Sequence, residues 1–176
     1  AYSCEEAESG SKKIRLEVSK GKFEDVDVKK IVTQIENSDI NVLANYIYGL
    51  PGDTDESIKQ TFNLSLELNT LGWNTYAAMA LPGSNLYKDA VENKLDLPQK
   101  YSEYSFHSYD TKPQKTETLE AWEVLKLRDD HFHKYFSNQK FKDKIRKKFG
   151  IEAERNIENM LKIKLKRKII EENLNI

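Results

Sequence analysis

Hydrophobic and polar positions along this chain follow one grammar in the first half and another in the second. From Val42 to Tyr48 the residues are apolar apart from Asn45 and rich in β-branched and aromatic types. That pattern predicts a buried strand of the parallel kind. The run breaks at Gly49-Leu50-Pro51-Gly52 and passes into helical spacing from about Thr54 to Leu71, with Ile58, Phe62 and Leu66 on one face. Asp53 reads as the N-cap of this helix, with Glu56 three residues on completing a capping box. A later strand is expected over 75–81, ended by Pro82-Gly83-Ser84, with a helix after it through Leu86, Tyr87, Ala90 and Val91. The chain opens in the same way. A short strand precedes Glu8, then come Ser9-Gly10-Ser11 and helical positions Ile14 and Val18, stopped at Lys20-Gly21. A further helix through Phe23, Val26, Val28, Ile31, Val32 and Ile35 is expected to end near Asn37-Ser38-Asp39.

Strand, small or Gly/Pro turn, helix: the order occurs three times. Parallel βα units place such turns at the carboxyl ends of the strands, where α/β proteins bind their ligands. Short βα loops built from Gly, Pro and Ser account for the same spacing without any ligand, and spacing alone does not choose between the two. Residues 96–116 are a polar loop carrying Tyr101, Tyr104, Phe106, His107, Tyr109 and Pro113. From Thr118 the pattern is helical, with Leu119, Trp122, Leu125, Phe132 and Phe136 in one stripe. A second long helix is expected from about Glu152 to Glu172, with Gly150 between the two. The expected organisation is an α/β unit over 1–95, a linker over 96–116 and a helical extension over 117–176.

Composition changes this picture little. With 176 residues, one domain plus an extension fits, and charged residues at 32% with net charge −1 give no overall field toward nucleic acid or membrane. No run approaches about 18 consecutive apolar residues, and no signal-peptide pattern opens the chain. Cys4 stands alone, so there is no disulfide framework, and a reducing cytoplasmic setting is expected. The first residue is Ala rather than Met, in mid-strand character, which reads as a fragment.

Glu8-Ser9-Gly10-Ser11 with Lys20-Gly21, then Asn45-Tyr46-Ile47-Tyr48-Gly49-Leu50-Pro51-Gly52-Asp53-Thr54, then Ala80-Leu81-Pro82-Gly83-Ser84 together resemble the later strands of the radical S-adenosylmethionine enzymes. The nearest group is the one with B12-binding relatives. The resemblance covers roughly residues 1–95 and rests on three motifs in the right order and spacing, which together are fairly specific. It implies the C-terminal half of a partial (β/α)6 TIM-like barrel, whose partners are the N-terminal half of that barrel, a small-molecule cofactor and an unknown substrate.

Residue by residue, the resemblance implies that Glu8 and Asn45 reach the ribose of S-adenosylmethionine and that Lys20 meets the methionyl carboxylate. It implies that Ile47 and Gly49 flank the adenine, that Leu81 and Pro82 close its side, and that Ser11 belongs to the same contact set. In the intact enzyme a [4Fe–4S] cluster would pass an electron to the sulfonium and release a 5′-deoxyadenosyl radical for hydrogen abstraction or methyl transfer. The B12-binding relatives raise cobalamin as an upstream cofactor, though no residue here shows it. Two departures stand out. Glu6 occupies a position where the family usually has Gly, and the three-cysteine cluster motif is absent, so this chain alone cannot hold the cluster.

The residues themselves leave plainer alternatives. A lone amide such as Asn45 in an apolar strand needs a partner, since unpaired it costs roughly 1–3 kcal/mol, but a neighbouring strand can supply one. Glu8 can complement a helix N-terminus and Lys20 can be a solvated cap. His131-x-His133 is not a metal pair, because i and i+2 do not share a helical face. His107 reads as a surface loop histidine. Lys140–Lys148 and Lys162–Lys168 read as solvated faces rather than phosphate or lipid contacts. Gly49–Thr54 as a phosphate cradle lacks a phosphate-loop Lys. The rival to an enzyme half is a non-catalytic α/β module whose C-terminal helices dock a partner.

Overall fold

The computed structural model describes residues 2–11, 14 and 26–175, and of residues 2–8 the backbone alone. Among these residues the elements are β1 (Tyr2–Glu8), α1 (Val28–Asn37), β2 (Asn41–Tyr48), α2 (Asp55–Leu68), β3 (Gly72–Ala77) and α3 (Asn85–Glu92). A 3-10 turn at Tyr101–Tyr104 follows, then α4 (Ala121–Ser137), α5 (Gln139–Phe149), α6 (Ile151–Leu161) and α7 (Lys168–Leu174). The strands form a parallel sheet in the order β1-β2-β3, so the fold is mixed α/β with strands adjacent in sequence lying adjacent in space. The expected helix through Val18 to Lys20-Gly21, and Phe23, lie outside the described residues, as do the side chains of Glu6 and Glu8.

β2 meets the expectation for Val42 to Tyr48 almost to the residue, because its alternating side chains have two destinations. Val42, Ala44, Tyr46 and Tyr48 are buried, while Leu43, Asn45 and Ile47 are half-buried. β3 alternates likewise, Trp73, Thr75 and Ala77 inward and Asn74 and Tyr76 outward. The inward set joins Ile58 and Phe62 of α2 and Val124, Leu125, Tyr135 and Phe136 of α4 in the main core. Phe141 and Ile145 of α5 extend it, and Val28, Ala153 and Ile170 pack at its margins. Trp73 is its centre, stacked on Tyr135 at 5.5 Å and edge-on to Phe62 and Phe136. Rings in such arrangements add attraction beyond the area they bury.

Four expectations are corrected. The N-cap of α2 is Thr54, not Asp53, and its capping box closes through Ser57 rather than Glu56. Asp53 is instead fully occupied inside the preceding turn. α2 stops at Leu68, because Asn69 adopts a left-handed conformation (φ 47°) and its N–H closes on the Ser65 carbonyl. β3 covers 72–77 rather than 75–81; beyond it the chain still runs beside its neighbours, with Ala78 N–H donating to the Tyr48 carbonyl and Gln114 N–H to the Ala78 carbonyl. Finally, the two long C-terminal helices are four. Asn138 ends α4 and starts α5, its side chain accepting from Lys140 N–H, and residues 162–167 are non-helical.

The basic runs are not simply solvated. Lys144 reaches Glu36 and the Asn69 carbonyl, Arg146 reaches Glu154, and Lys148 reaches Asn41, so α5 is tied to α1, α6 and β2. Arg167 is buried. Its guanidinium grips both oxygens of Asp129 and donates to the Ser108 carbonyl and Thr111, which fastens residues 105–111 and the start of α7 onto α4. No helix among the described residues is long and apolar enough to cross a membrane.

Candidate functional site

The expected ligand face is the one at the carboxyl ends of the strands, and β2 and β3 each turn one set of side chains away from the main core. Asn45 and Ile47 are both on that face. Register places Asn45 opposite Asn74 and Ile47 opposite Tyr76. Asn74 Nδ2 donates to Asn45 Oδ1 at 3.0 Å, so the half-buried amide of the apolar strand has a partner on the neighbouring strand. Ile47 packs beside a small second cluster of Ile14, Leu50 and Ala78, with Leu86 of α3 also against it. Tyr76 carries Phe106 over its ring, 4.9 Å between centroids. Two rows thus cross the strands on this face: an amide row, then an apolar and aromatic row.

β1 brings Glu8 to the same edge, paired in register with Tyr46. The pairing shifts between Glu6 and Glu8, at the segment where Glu6 departs from the resembled pattern. Ser11 is buried, its N–H donating to Ser9 Oγ, and Ser9 Oγ in turn lies 3.2 Å from Thr61 Oγ1 of α2. Gly10 sits against α2 so closely that a Cβ would stand 2.6 Å from Thr61 Cα and 2.7 Å from the Gln60 carbonyl. The requirement for glycine there is met by the helix backbone.

Gly49 tells the same story. It has φ +79°, a region side chains rarely enter, and a Cβ on it would lie 2.8 Å from Val124 Cγ1 of α4. The missing Cβ is what lets Val124 of α4 approach the turn. The N–H groups of the turn are also committed. Gly49 and Leu50 both donate to Asp53 Oδ2, at 3.0 and 3.1 Å, and Ser57 Oγ donates to Asp53 Oδ1 at 2.6 Å. Gly52 N–H donates to Glu117 Oε2, and Thr118 Oγ1 to the Asp53 carbonyl. Carboxylates of the chain therefore fill the turn, and a phosphate would have to displace them. Burial raises the Asp53 pKa, and the bonds from Ser57, Leu50 and Gly49 pull it back toward the ionised form.

Leu81 and Pro82 follow β3 on an exposed turn, Leu81 46% exposed, with Ser84 capping α3 through Tyr87 N–H. Lys20 lies outside the described residues. The two paired histidines part company: His131 faces the core, stacked on Phe62 at 3.9 Å and bonded through Nδ1 to the Tyr48 hydroxyl at 3.0 Å. Burial lowers its pKa to about 4, so it is a neutral structural ring at physiological pH. His133 faces a groove between the C-terminal helices. Among the described residues no group of His, Cys, Asp or Glu could hold a metal ion.

Sequence reasoning missed three residues of this region. Asn74 pairs with Asn45 only through a register that no local pattern reveals. Glu117, in a loop 65 residues downstream, reaches Gly52, and Phe106 covers Tyr76. Compared with known proteins, the chain matches no family model and no curated sequence.

Proposed function

We propose that this chain supplies the nucleoside-binding side of an S-adenosylmethionine site, as three consecutive staves of a partial (β/α)6 barrel of the radical S-adenosylmethionine type braced from outside by the C-terminal helices. The observation that supports this best is the division of β2: Ala44, Tyr46 and Tyr48 bury among α2 and α4, while Asn45 and Ile47 remain on the opposite face. A barrel keeps that opposite face for its interior and ligand, whereas a doubly wound sheet sheathes both faces in helices. Sequential parallel strands β1-β2-β3 suit the first arrangement.

The groups on that face fit adenosine. The Asn45–Asn74 amide row offers donors and acceptors to ribose hydroxyls, and the Ile47–Tyr76 row, with Phe106 against Tyr76, offers an apolar and aromatic edge to a base. Gly49 and Asp53 hold the strand end in shape, since the Asp53 carboxylate fixes the backbone N–H groups of Gly49 and Leu50. Lys20 is the group for the methionyl carboxylate. A cluster does not fit, because a single cysteine cannot replace three thiolates. The electron that opens the sulfonium would come from a cluster held by other cysteines, and the part of this chain is to bind and orient the nucleoside.

The test is to express the whole reading frame that contains this chain, reconstitute it anaerobically with iron and sulfide, and record electron paramagnetic resonance after dithionite reduction. The expected result is a reduced [4Fe–4S] signal that changes on adding S-adenosylmethionine. A frame without a Cys-x3-Cys-x2-Cys motif, or a signal indifferent to S-adenosylmethionine, would overturn the reading.

A further inference from the structure

Between α4, α6, α7 and residues 162–167 runs a groove of about 840 Å³. That volume lies within the range of small-molecule sites, roughly 300–1,000 Å³. Its apolar lining is Phe132, Met160, Ile163, Leu165, Ile170 and Leu174. Ile163, Leu165 and Leu174 are 67%, 42% and 38% exposed, an unusual clustering of large apolar side chains left open to water.

The charges around the groove are not balanced. Its two carboxylates are already committed, Asp129 to Arg128 and Arg167, and Asp130 to Lys126. Lys134 and Lys164 also line the groove, and neither has an ion pair among the described residues. The walls are held without a ligand: buried Arg167 ties residues 162–167 to α4 through Asp129 and to the 105–111 segment through Ser108 and Thr111. An apolar lining with two uncommitted ammonium groups complements a molecule with one apolar chain and one anionic head.

We propose that this groove binds a single-chain anionic amphiphile of the fatty-acid type, its chain along Phe132, Met160 and Leu165 and its carboxylate met by Lys134 and Lys164. The site is independent of the nucleoside face, so either assignment can fail without the other.

Dodecanoate is the probe, titrated by calorimetry below its micellar concentration against dodecanol and dodecyltrimethylammonium. Saturable one-to-one binding of dodecanoate is expected, with the two other compounds about tenfold weaker, the scale of one charge-assisted contact. The double variant Lys134→Glu/Lys164→Glu should weaken dodecanoate by at least that factor while thermal unfolding stays unchanged. Should it fail to fold, Met160→Trp, which fills the groove, is expected to abolish binding. Equal affinity for the cationic amphiphile, indifference to these substitutions, or association only with vesicles containing anionic phosphatidylglycerol would overturn the proposal.

Discussion

The Tyr48 hydroxyl and Nδ1 of His131 meet at 3.0 Å across 83 residues of sequence, joining the central strand to α4 inside the main core. The imidazole also lies flat on Phe62. Its pKa falls from 6.5 to about 4 because burial disfavours the imidazolium.

This pair sets an acid limit on stability. Between pH 6.5 and about 4 the unfolded chain binds a proton at His131 and the fold does not, so stability falls as pH drops through that window. The full loss is about 3 kcal/mol at 1.36 kcal/mol per pKa unit. Asp53 acts in the opposite sense, since a raised carboxyl pKa makes the fold the better proton binder and stability declines as pH rises past its ordinary value. The His131 contribution is therefore read as a difference. Urea unfolding at pH 7.5, 5 and 4 should show His131→Leu losing much less stability on acidification than the parent. Parallel curves would contradict the assignment.

The Asp53 carboxylate is the acceptor for Gly49 N–H, Leu50 N–H and Ser57 Oγ, all within the buried turn. Asp53→Ala leaves these donors unpaired, and each buried orphan costs roughly 1–3 kcal/mol, so a loss of about 3 kcal/mol is expected after partial rehydration. Chemical denaturation reads it. The same occupancy predicts that millimolar phosphate leaves the amide resonances of Gly49 and Leu50 unshifted in the parent protein, and a saturable shift there would revive the phosphate-cradle reading.

Two tyrosines in the core separate a satisfied hydroxyl from an orphan. Tyr135 donates to the Thr70 carbonyl at 2.7 Å, while the Tyr46 hydroxyl is buried with no hydrogen-bond partner among the described residues. Tyr135→Phe should destabilise by about 1 kcal/mol, and Tyr46→Phe should be neutral or stabilising. A thermal-shift comparison decides it. The reverse order would mean that the Tyr46 hydroxyl is satisfied in solution.

What could be read in advance divides along physical lines. β2, its turn and α2 were legible because an apolar run, a Gly-Leu-Pro-Gly break and 3.6-residue spacing are local signals. β3 was shifted toward 75–81 because Ala77 to Leu81 reads as strand, whereas Gly72 and Trp73 form the first rungs through pairing with Leu43 and Ala44. The break between α4 and α5 was invisible since Asn138 caps without any Pro or Gly. On the candidate site, Asn45 announced its need for a partner, but Asn74 could be named only from the parallel register. No local pattern shows that the missing Cβ of Gly49 makes room for Val124 and that of Gly10 for α2, since both neighbours come from distant segments.

The proposed role of the face bearing Asn45 is to hold the nucleoside of S-adenosylmethionine. The most direct measurement is the dissociation constant for S-adenosylmethionine of the reconstituted full-length protein, parent against Asn45→Ala. Loss of a hydrogen bond to the ribose predicts binding weakened about tenfold, with cluster content and thermal unfolding unchanged. Undiminished affinity in Asn45→Ala, with the protein folded and its cluster intact, would contradict the account.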